Sequence, residues 1–302
     1  TRSRFLYKPF ALSRPTVLPR NRNSRCSVIN GMTAAIHETA ILGAGAKLGS
    51  NVRIGPYAIV EDEVELGSDC FVEAHAIVKN GTVLGDGCRV GHFAVLGGEP
   101  QYLAFDPATS SGVKVGKGTR IGEGVTIHRS IREKEVTCVG DNVFLMGYSH
   151  VAHDCLVGDQ VVVANGALLG GHVELGKYCF VGGGAAFHQF VRVGDGAMVG
   201  GMAEVSVDVP PFVTVARRNL ACGLNLVGLR RREFSQEVIG DLKECYRAVY
   251  FHEGNPQSRA EETLASGELP STSQGREFLE FFLSGERGFV RNRKKQVPKD
   301  DS

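Results

Sequence analysis

The chain has 302 residues, a formal net charge of +1 and 42% hydrophobic residues, and 39 of its residues are glycine. That is about 13% glycine against an ordinary usage of about 7%; with no Gly-X-Y period and only 11 prolines collagen is excluded, and this hydrophobic content excludes a disordered chain. Glycine costs about 0.5–1 kcal/mol inside a helix, which argues against a helical bundle and for many tight turns, and no run of about 18 apolar residues is present to span a bilayer.

Residues 1–31 hold seven basic side chains (Arg2, Arg4, Lys8, Arg14, Arg20, Arg22 and Arg25) and no acid; the first acidic residue is Glu38. An Arg-rich, Ser-containing, acid-free segment that lacks the apolar core of a secretory signal reads as an organelle transit peptide. The expected destination is the mitochondrion rather than the plastid, because arginine dominates. Taking these seven from the 34 basic residues leaves 27 against 33 acidic ones, a net of −6, so the body offers no electrostatic footprint for nucleic acid. The eight cysteines contain no CxxC pair and read as free thiols.

From residue 32 a repeat dominates. Stepping by six from Ile36 gives Leu42, Leu48, Ile54, Val60, Leu66, Val72, Val78, Leu84, Val90 and Leu96, all aliphatic. The register breaks over Gly98–Gly112, resumes at Val115, Ile121 and Ile127, breaks again over Arg129–Cys138, and then runs from Val139 to Val205 with Phe187 the one aromatic member. Sixteen glycines directly follow a periodic residue and eight more lie three residues after one, so the glycine excess is phased. A six-residue period fits short strands separated by turns, three to a coil of about 18 residues, as in a parallel β-helix. The periodic aliphatics face inward, and small residues fill the second inward position, four residues on, where Cys70, Cys88, Cys155 and Cys179 become buried, inert thiols. The two interruptions must leave the wall as extruded loops.

The pattern stops at Asp208-Val209-Pro210-Pro211. Glu233–Phe251 then reads as an amphipathic helix with Phe234, Val238, Leu242, Cys245, Ala248 and Val249 on one face and Ser235 as N-cap. Arg259–Ala265 and Arg276–Leu283 suggest two further helices, and Arg291–Lys295 a solvated basic tail. The expected organisation is therefore a targeting segment at 1–31, the β-helix at 32–207 and a helical domain at 208–302 that caps its open end.

Six of the nine histidines, His92, His128, His150, His153, His172 and His188, lie within residues 92–188, and none of the six occupies an inward aliphatic position. The spacings of His153, His172 and His188 are near one coil, so the three share a face. Such a ladder supports two chemistries: a general base, with His153 best placed because Asp154 follows it, or a zinc site of neutral imidazoles. Spacing alone leaves both open.

The hexapeptide array, His150-Val151-Ala152-His153-Asp154-Cys155, Gly171-His172-Val173, Phe187-His188-Gln189-Phe190, Asp208-Val209-Pro210-Pro211 and Asn225-Leu226-Val227-Gly228-Leu229-Arg230-Arg231-Arg232 together resemble the UDP-N-acetylglucosamine O-acyltransferase family of lipid A biosynthesis, over about residues 35–290. The resemblance implies a mainly β fold, a left-handed parallel β-helix of hexapeptide repeats with a C-terminal α-helical domain, assembled as a homotrimer; with the transit-like residues 1–31 the expectation is an organelle-targeted eukaryotic version. It implies transfer of a 3-hydroxyacyl chain from acyl carrier protein to UDP-N-acetylglucosamine, with no metal and no cofactor. His153 is then the general base, Asp154 its orienting partner, and the Gly171 amide the group that polarises the thioester carbonyl. Gln101, His128, His150, His172, His188 and Gln189 match substrate-contacting positions, Met198 and Gly201 the region that limits chain length, and Asn225, Arg231 and Arg232 nucleotide- and donor-binding positions.

Three positions depart from the family pattern: Tyr102 and Ala104 replace an acid and a lysine, and Val227 replaces a glutamate near the nucleoside. Two rivals follow. A γ-class carbonic anhydrase shares the fold and trimer, but its His-x4-His spacing is not that of His150-x2-His153; a non-catalytic trimeric scaffold would keep the fold and lose substrate contacts.

Overall fold

The computed structural model describes residues 24–29 and 32–292. Most wall strands are two residues long and pair in parallel with the strand one coil later, as Ile54 does with Val72 and Val151 with Leu169. A two-residue strand cannot stand alone; it exists because identical strands above and below complete its ladder. Three sheets result. The first wall carries Arg53–Ile54 through Met198–Val199, the second Ile41–Leu42 through Glu204–Val205, and the third Lys47–Leu48 through Arg192–Val193.

The periodic aliphatics stack inside as expected, with Leu96, Ile127, Leu145 and Leu169 fully buried, and the second inward position holds Val52, Ala58, Cys70, Cys155 and their equivalents. Cys70, Cys88, Cys138, Cys155, Cys179, Cys222 and Cys245 are free thiols. Burial pushes Cys155 and Cys179 each up to about 12, which keeps them unreactive. Leu145→Ala would leave a void between coils that cannot collapse, and is expected to lower unfolding free energy by about 2–5 kcal/mol in urea titration.

The two glycine phases have separate causes. Directly after the inward residue the chain passes so close to the next coil that a Cβ at Gly182 would lie 2.4 Å from Gly201 N. Three residues after it the backbone enters the left-handed region, and there glycine is only one solution: Asn51, Tyr57, Asp154, His172 and Phe190 hold the same turn at φ between 55° and 64°.

Both interruptions leave the wall, over residues 99–111 and 129–135, between Val95–Gly98 and Gly112–Val115 and between Thr126–His128 and Val136–Val139. The prolines do not end the coil: Val209 still bridges Val193, and Val213–Ala216 pairs with Met198–Val199 on the first wall. Proline is tolerated there because wall amides donate to the following coil, and no complete coil follows Pro210 and Pro211. Leu220–Leu224 then turns back antiparallel on Val213–Ala216.

Four α-helices follow among the described residues: α1 (Leu226–Arg231), α2 (Gln236–Tyr250), α3 (Pro256–Ser266) and α4 (Ser273–Glu280), the last running into a 3-10 turn at Phe281–Leu283. Ser235 caps α2 as anticipated, accepting from Val238 N. Leu242, Cys245 and Val249 are buried as expected, and the buried face also takes in Ile239, Tyr246 and Asp241, whose carboxylate accepts from Ser271 N and Thr272 N and ties α2 to the start of α4. Two chain ends also differ from expectation. Arg291–Asn292, read as the start of a solvated tail, pairs in parallel with Leu220–Ala221; within the segment read as a targeting sequence, Ser24–Ile29 pairs antiparallel with Met32–His37. Strand pairing satisfies backbone groups whatever the side-chain charge, so composition does not reveal it. The remainder of 1–31 and the tail beyond Asn292 lie outside the described residues.

Candidate active site

The turn from the second wall to the third forms one edge of the prism, and three successive coils build the site there. His150-Val151-Ala152-His153-Asp154 is followed 18 residues later by Leu168-Leu169-Gly170-Gly171-His172, and then by Ala186-Phe187-His188-Gln189-Phe190. Val151, Leu169 and Phe187 point inward and are buried, which fixes what their neighbours do. His153, Gly171 and Gln189 occupy one column of the turn, and Asp154, His172 and Phe190 the adjacent left-handed column. The expected histidine ladder is thus corrected: columns repeat at 18, so spacings of 19 and 16 step each histidine around the turn.

His153 is buried, and its Nδ1 lies 2.7 Å from Asp154 Oδ2. Asp154 also accepts from Ser130 Oγ on Oδ1 and from Ile131 N on Oδ2 at 3.3 Å, while its own amide donates to Thr137 Oγ1 at 2.8 Å. Burial pushes this carboxyl up, but the hydrogen bonds from His153, Ser130 and Ile131 and the nearby His172 outweigh it and hold it at about 2. An ionised Asp154 accepts the Nδ1 proton and leaves Nε2 as the basic nitrogen of the neutral ring. Since the folded value lies below the ordinary 3.8, this contact stabilises the protein above that pH and is lost as pH falls toward about 2. The melting-temperature gap between the native chain and Asp154→Asn is therefore expected to be constant above about pH 5 and to close between about pH 4 and pH 2.

Gly171 packs against the imidazole: a Cβ there would lie 2.5 Å from His153 Cε1 and 2.7 Å from Nε2. The Gly171 carbonyl accepts from Phe190 N at 3.0 Å, and its N–H has no acceptor among the described residues. The His172 ring meets His153 edge-on at 5.1 Å, stacks on Phe190 at 4.4 Å, and has Nε2 3.9 Å from Asp154 Oδ2. On the second wall His150 Nδ1 shares a hydrogen bond with Thr126 Oγ1 at 2.7 Å, and its ring is 4.7 Å from that of His128. Burial, then the neighbouring histidines, push His128 down to about 4 and lower His150, while burial lowers His172. These rings are neutral acceptors or donors at neutral pH.

The other anticipated residues divide by edge. Gln101 is exposed on the first extruded loop, and Tyr102 beside it brings its ring to 6.3 Å from that of His153. His188 and Gln189 are exposed one coil above Gly171. Met198 lies on the first wall and Gly201 on the turn from first to second wall, so one chain does not bring them to His153's edge. Asn225 caps α1 through Gly228 N and donates to Gly196 O; Arg231 is exposed, and Arg232 stacks over Tyr178 at 4.0 Å and Phe234 at 4.8 Å. Sequence reasoning missed Ser130, Thr137 and Thr126. Thr126 was accessible, because adding the inserted loop to the coil period pairs it with His150; nothing in the sequence directs Ser130 back onto Asp154.

A cleft of about 840 Å³ opens beside Asp154 and His172, lined also by Arg132, Arg192, Arg287 and Phe190. His153, Asp154 and His172 each offer a ligand atom within 4.8 Å of the others, the one grouping among the described residues that has the makings of a metal site.

Residues 208–290 match the family described as UDP N-acetylglucosamine O-acyltransferase, domain 2, and residues 63–98 and 139–171 match bacterial transferase hexapeptide repeats. A curated acyl-(acyl-carrier-protein)–UDP-N-acetylglucosamine O-acyltransferase from Sulfurihydrogenibium is 49% identical over 263 residues, covering 84% of this chain and 94% of that protein. Another from Paraburkholderia phymatum is 40% identical over 263 residues, covering 85% and 99%. Among solved structures, the UDP-N-acetylglucosamine acyltransferase of Campylobacter jejuni is 35% identical with a TM-score of 0.79, over 85% of this chain and all of that one; the Arabidopsis enzyme is 31% identical at 0.76. These likenesses make the coil a left-handed β-helix, a sense the repeat itself leaves open. The chain belongs to the UDP-N-acetylglucosamine O-acyltransferase family.

Proposed function

We propose that this chain transfers a 3-hydroxyacyl group from acyl carrier protein to the glucosamine 3-hydroxyl of UDP-N-acetylglucosamine, the first step of lipid A biosynthesis, with His153 as general base. The observation that carries this reading is the ionised Asp154 carboxylate held on His153 Nδ1, with the Gly171 amide against the same imidazole. His153 Nε2 takes the hydroxyl proton as the oxygen attacks the thioester carbonyl; Asp154 stabilises the imidazolium so formed. The free Gly171 N–H donates to the oxyanion of the tetrahedral adduct. Collapse breaks the C–S bond, and the imidazolium returns the proton to the departing thiolate.

Assembly of three copies completes the site in this reading, because Met198 and Gly201 stand on a different edge from His153 and need a neighbouring chain to bring them there. Ile41 and Leu168 on the second wall, and Tyr57, Phe93, Tyr148 and Met202 on its first-wall edge, are exposed and give that neighbour an apolar surface. Sedimentation equilibrium at three chain masses supports this, and a monomer overturns it. For residues 1–31 we infer mitochondrial import, from their arginine-rich, acid-free composition; an import assay with isolated mitochondria and plastids decides it.

The test of the activity is direct transfer from 3-hydroxyacyl carrier proteins of several chain lengths to UDP-N-acetylglucosamine. Turnover with one of them supports the reading, and none with any donor favours the scaffold, with Tyr102, Ala104 and Val227 as lost contacts. The His153–Asp154–His172 grouping favours a metal-dependent alternative; stoichiometric zinc with CO2 hydration would establish it.

A further inference from the structure

Asp154 stands between two imidazoles. Its Oδ2 is 2.7 Å from His153 Nδ1 and 3.9 Å from His172 Nε2, so a small pivot of the carboxylate changes which ring it serves. The opposing oxygen, Oδ1, is held by Ser130 Oγ alone among the described side chains. Ser130 is fully buried although it lies in a loop extruded from the coil. Its hydroxyl donates to Asp154 and accepts from Arg132 N at 2.9 Å, which fixes the direction of the donated proton. Its carbonyl accepts from Ser111 Oγ at 2.6 Å. The neighbouring Arg129 donates to Thr109 O at 2.8 Å and Pro107 O at 3.0 Å, and Lys134 N donates to Ser110 O at 2.7 Å. The two extruded loops are therefore tied to each other, and the tie ends on the carboxylate.

We infer that Ser130 is a positioning residue for the reaction: anchored by both loops, it pins Asp154 so that Oδ2 faces His153 rather than His172. The inference rests on the proposed role of the His153–Asp154 pair and adds what selects between the two rings. A hydrogen bond to a charged group inside a buried site is worth about a tenfold to hundredfold change in an equilibrium or rate.

The experiment is a double-mutant cycle in the full-length chain, read as kcat and KM for both substrates. Ser130→Ala is expected to lower kcat about tenfold to a hundredfold with KM unchanged within about twofold, and Ser130→Thr, which keeps the hydroxyl, to restore most of it. In an Asp154→Ala background Ser130→Ala should cost nothing further, because it acts only through that carboxylate. A kcat at the native level in Ser130→Ala, or a loss that multiplies with that of Asp154→Ala, overturns the inference. Should Ser130→Ala fail to fold, the near-isosteric Ser130→Cys, a poor donor, is expected to show the same kcat loss; native kcat there overturns it equally. Full activity in Asp154→Ala would instead sink the reading of the pair itself, a separate and distinguishable result.

Discussion

Replacing His153 by alanine is expected to lower kcat for acyl transfer by about a hundredfold to ten-thousandfold, the range that a positioned general base supplies. The ring is the only group within this turn that both carries a basic nitrogen and is backed by an ionised carboxylate. His128, His150 and His172 do not replace it: none has a carboxylate within hydrogen-bond distance, His172 Nε2 being 3.9 Å from Asp154. Folding should survive. The inward positions on either side, Val151 and Cys155, are untouched, and the His153 backbone carbonyl still accepts from His172 N at 3.0 Å. Steady-state kinetics beside a thermal melt check both parts; a variant with native kcat removes His153 from the chemistry.

Gly171→Ala is expected to be nearly as damaging, lowering kcat about a hundredfold or more, although it removes no functional group. The added methyl would fall 2.5–3.1 Å from three atoms of the His153 ring. Real Cβ contacts do not come that close, so either the imidazole leaves the Asp154 carboxylate or the turn shifts and re-aims the Gly171 amide. A displacement of about 1 Å in a catalytic group costs about a hundredfold. Both routes reduce kcat, and the second also withdraws the oxyanion donor. The check is kcat in Gly171→Ala alongside Gly183→Ala, a coil glycine whose Cβ would come no closer than 3.2 Å to Asn165 O and which is expected to remain active. Equal activity in the two would mean that the contact with His153 does not matter.

Much of the architecture was legible because a β-helix is a one-dimensional code. A six-residue step assigns every residue between interruptions to a wall and a direction, which is why Cys155 and Cys179 could be placed inside and His153 at a corner off the inward columns from counting alone, though not its burial there. The same counting failed by one or two residues at His172 and His188, since a turn has several columns and only a strict 18-residue step stays in one. Prolines 210 and 211 misled because a breaker is harmless where no coil follows. The α2 face was misjudged at Asp241, whose burial depends on partners 30 and 31 residues away.

The sequence by itself determined the repeat, the inward columns, the two extrusions, the capped helix after Ser235 and the adjacency of His153 to Asp154, all of them local or strictly periodic. Only the tertiary structure decided how the extruded loops fold back, that Ser130 closes on Asp154, that Gly171 touches the imidazole, and that Asn225 and Arg232 stand on another edge than His153. The physical reason is that periodicity fixes where a residue sits around the coil, whereas the path of an inserted loop depends on which buried polar groups must find partners, and those partners lie in other coils.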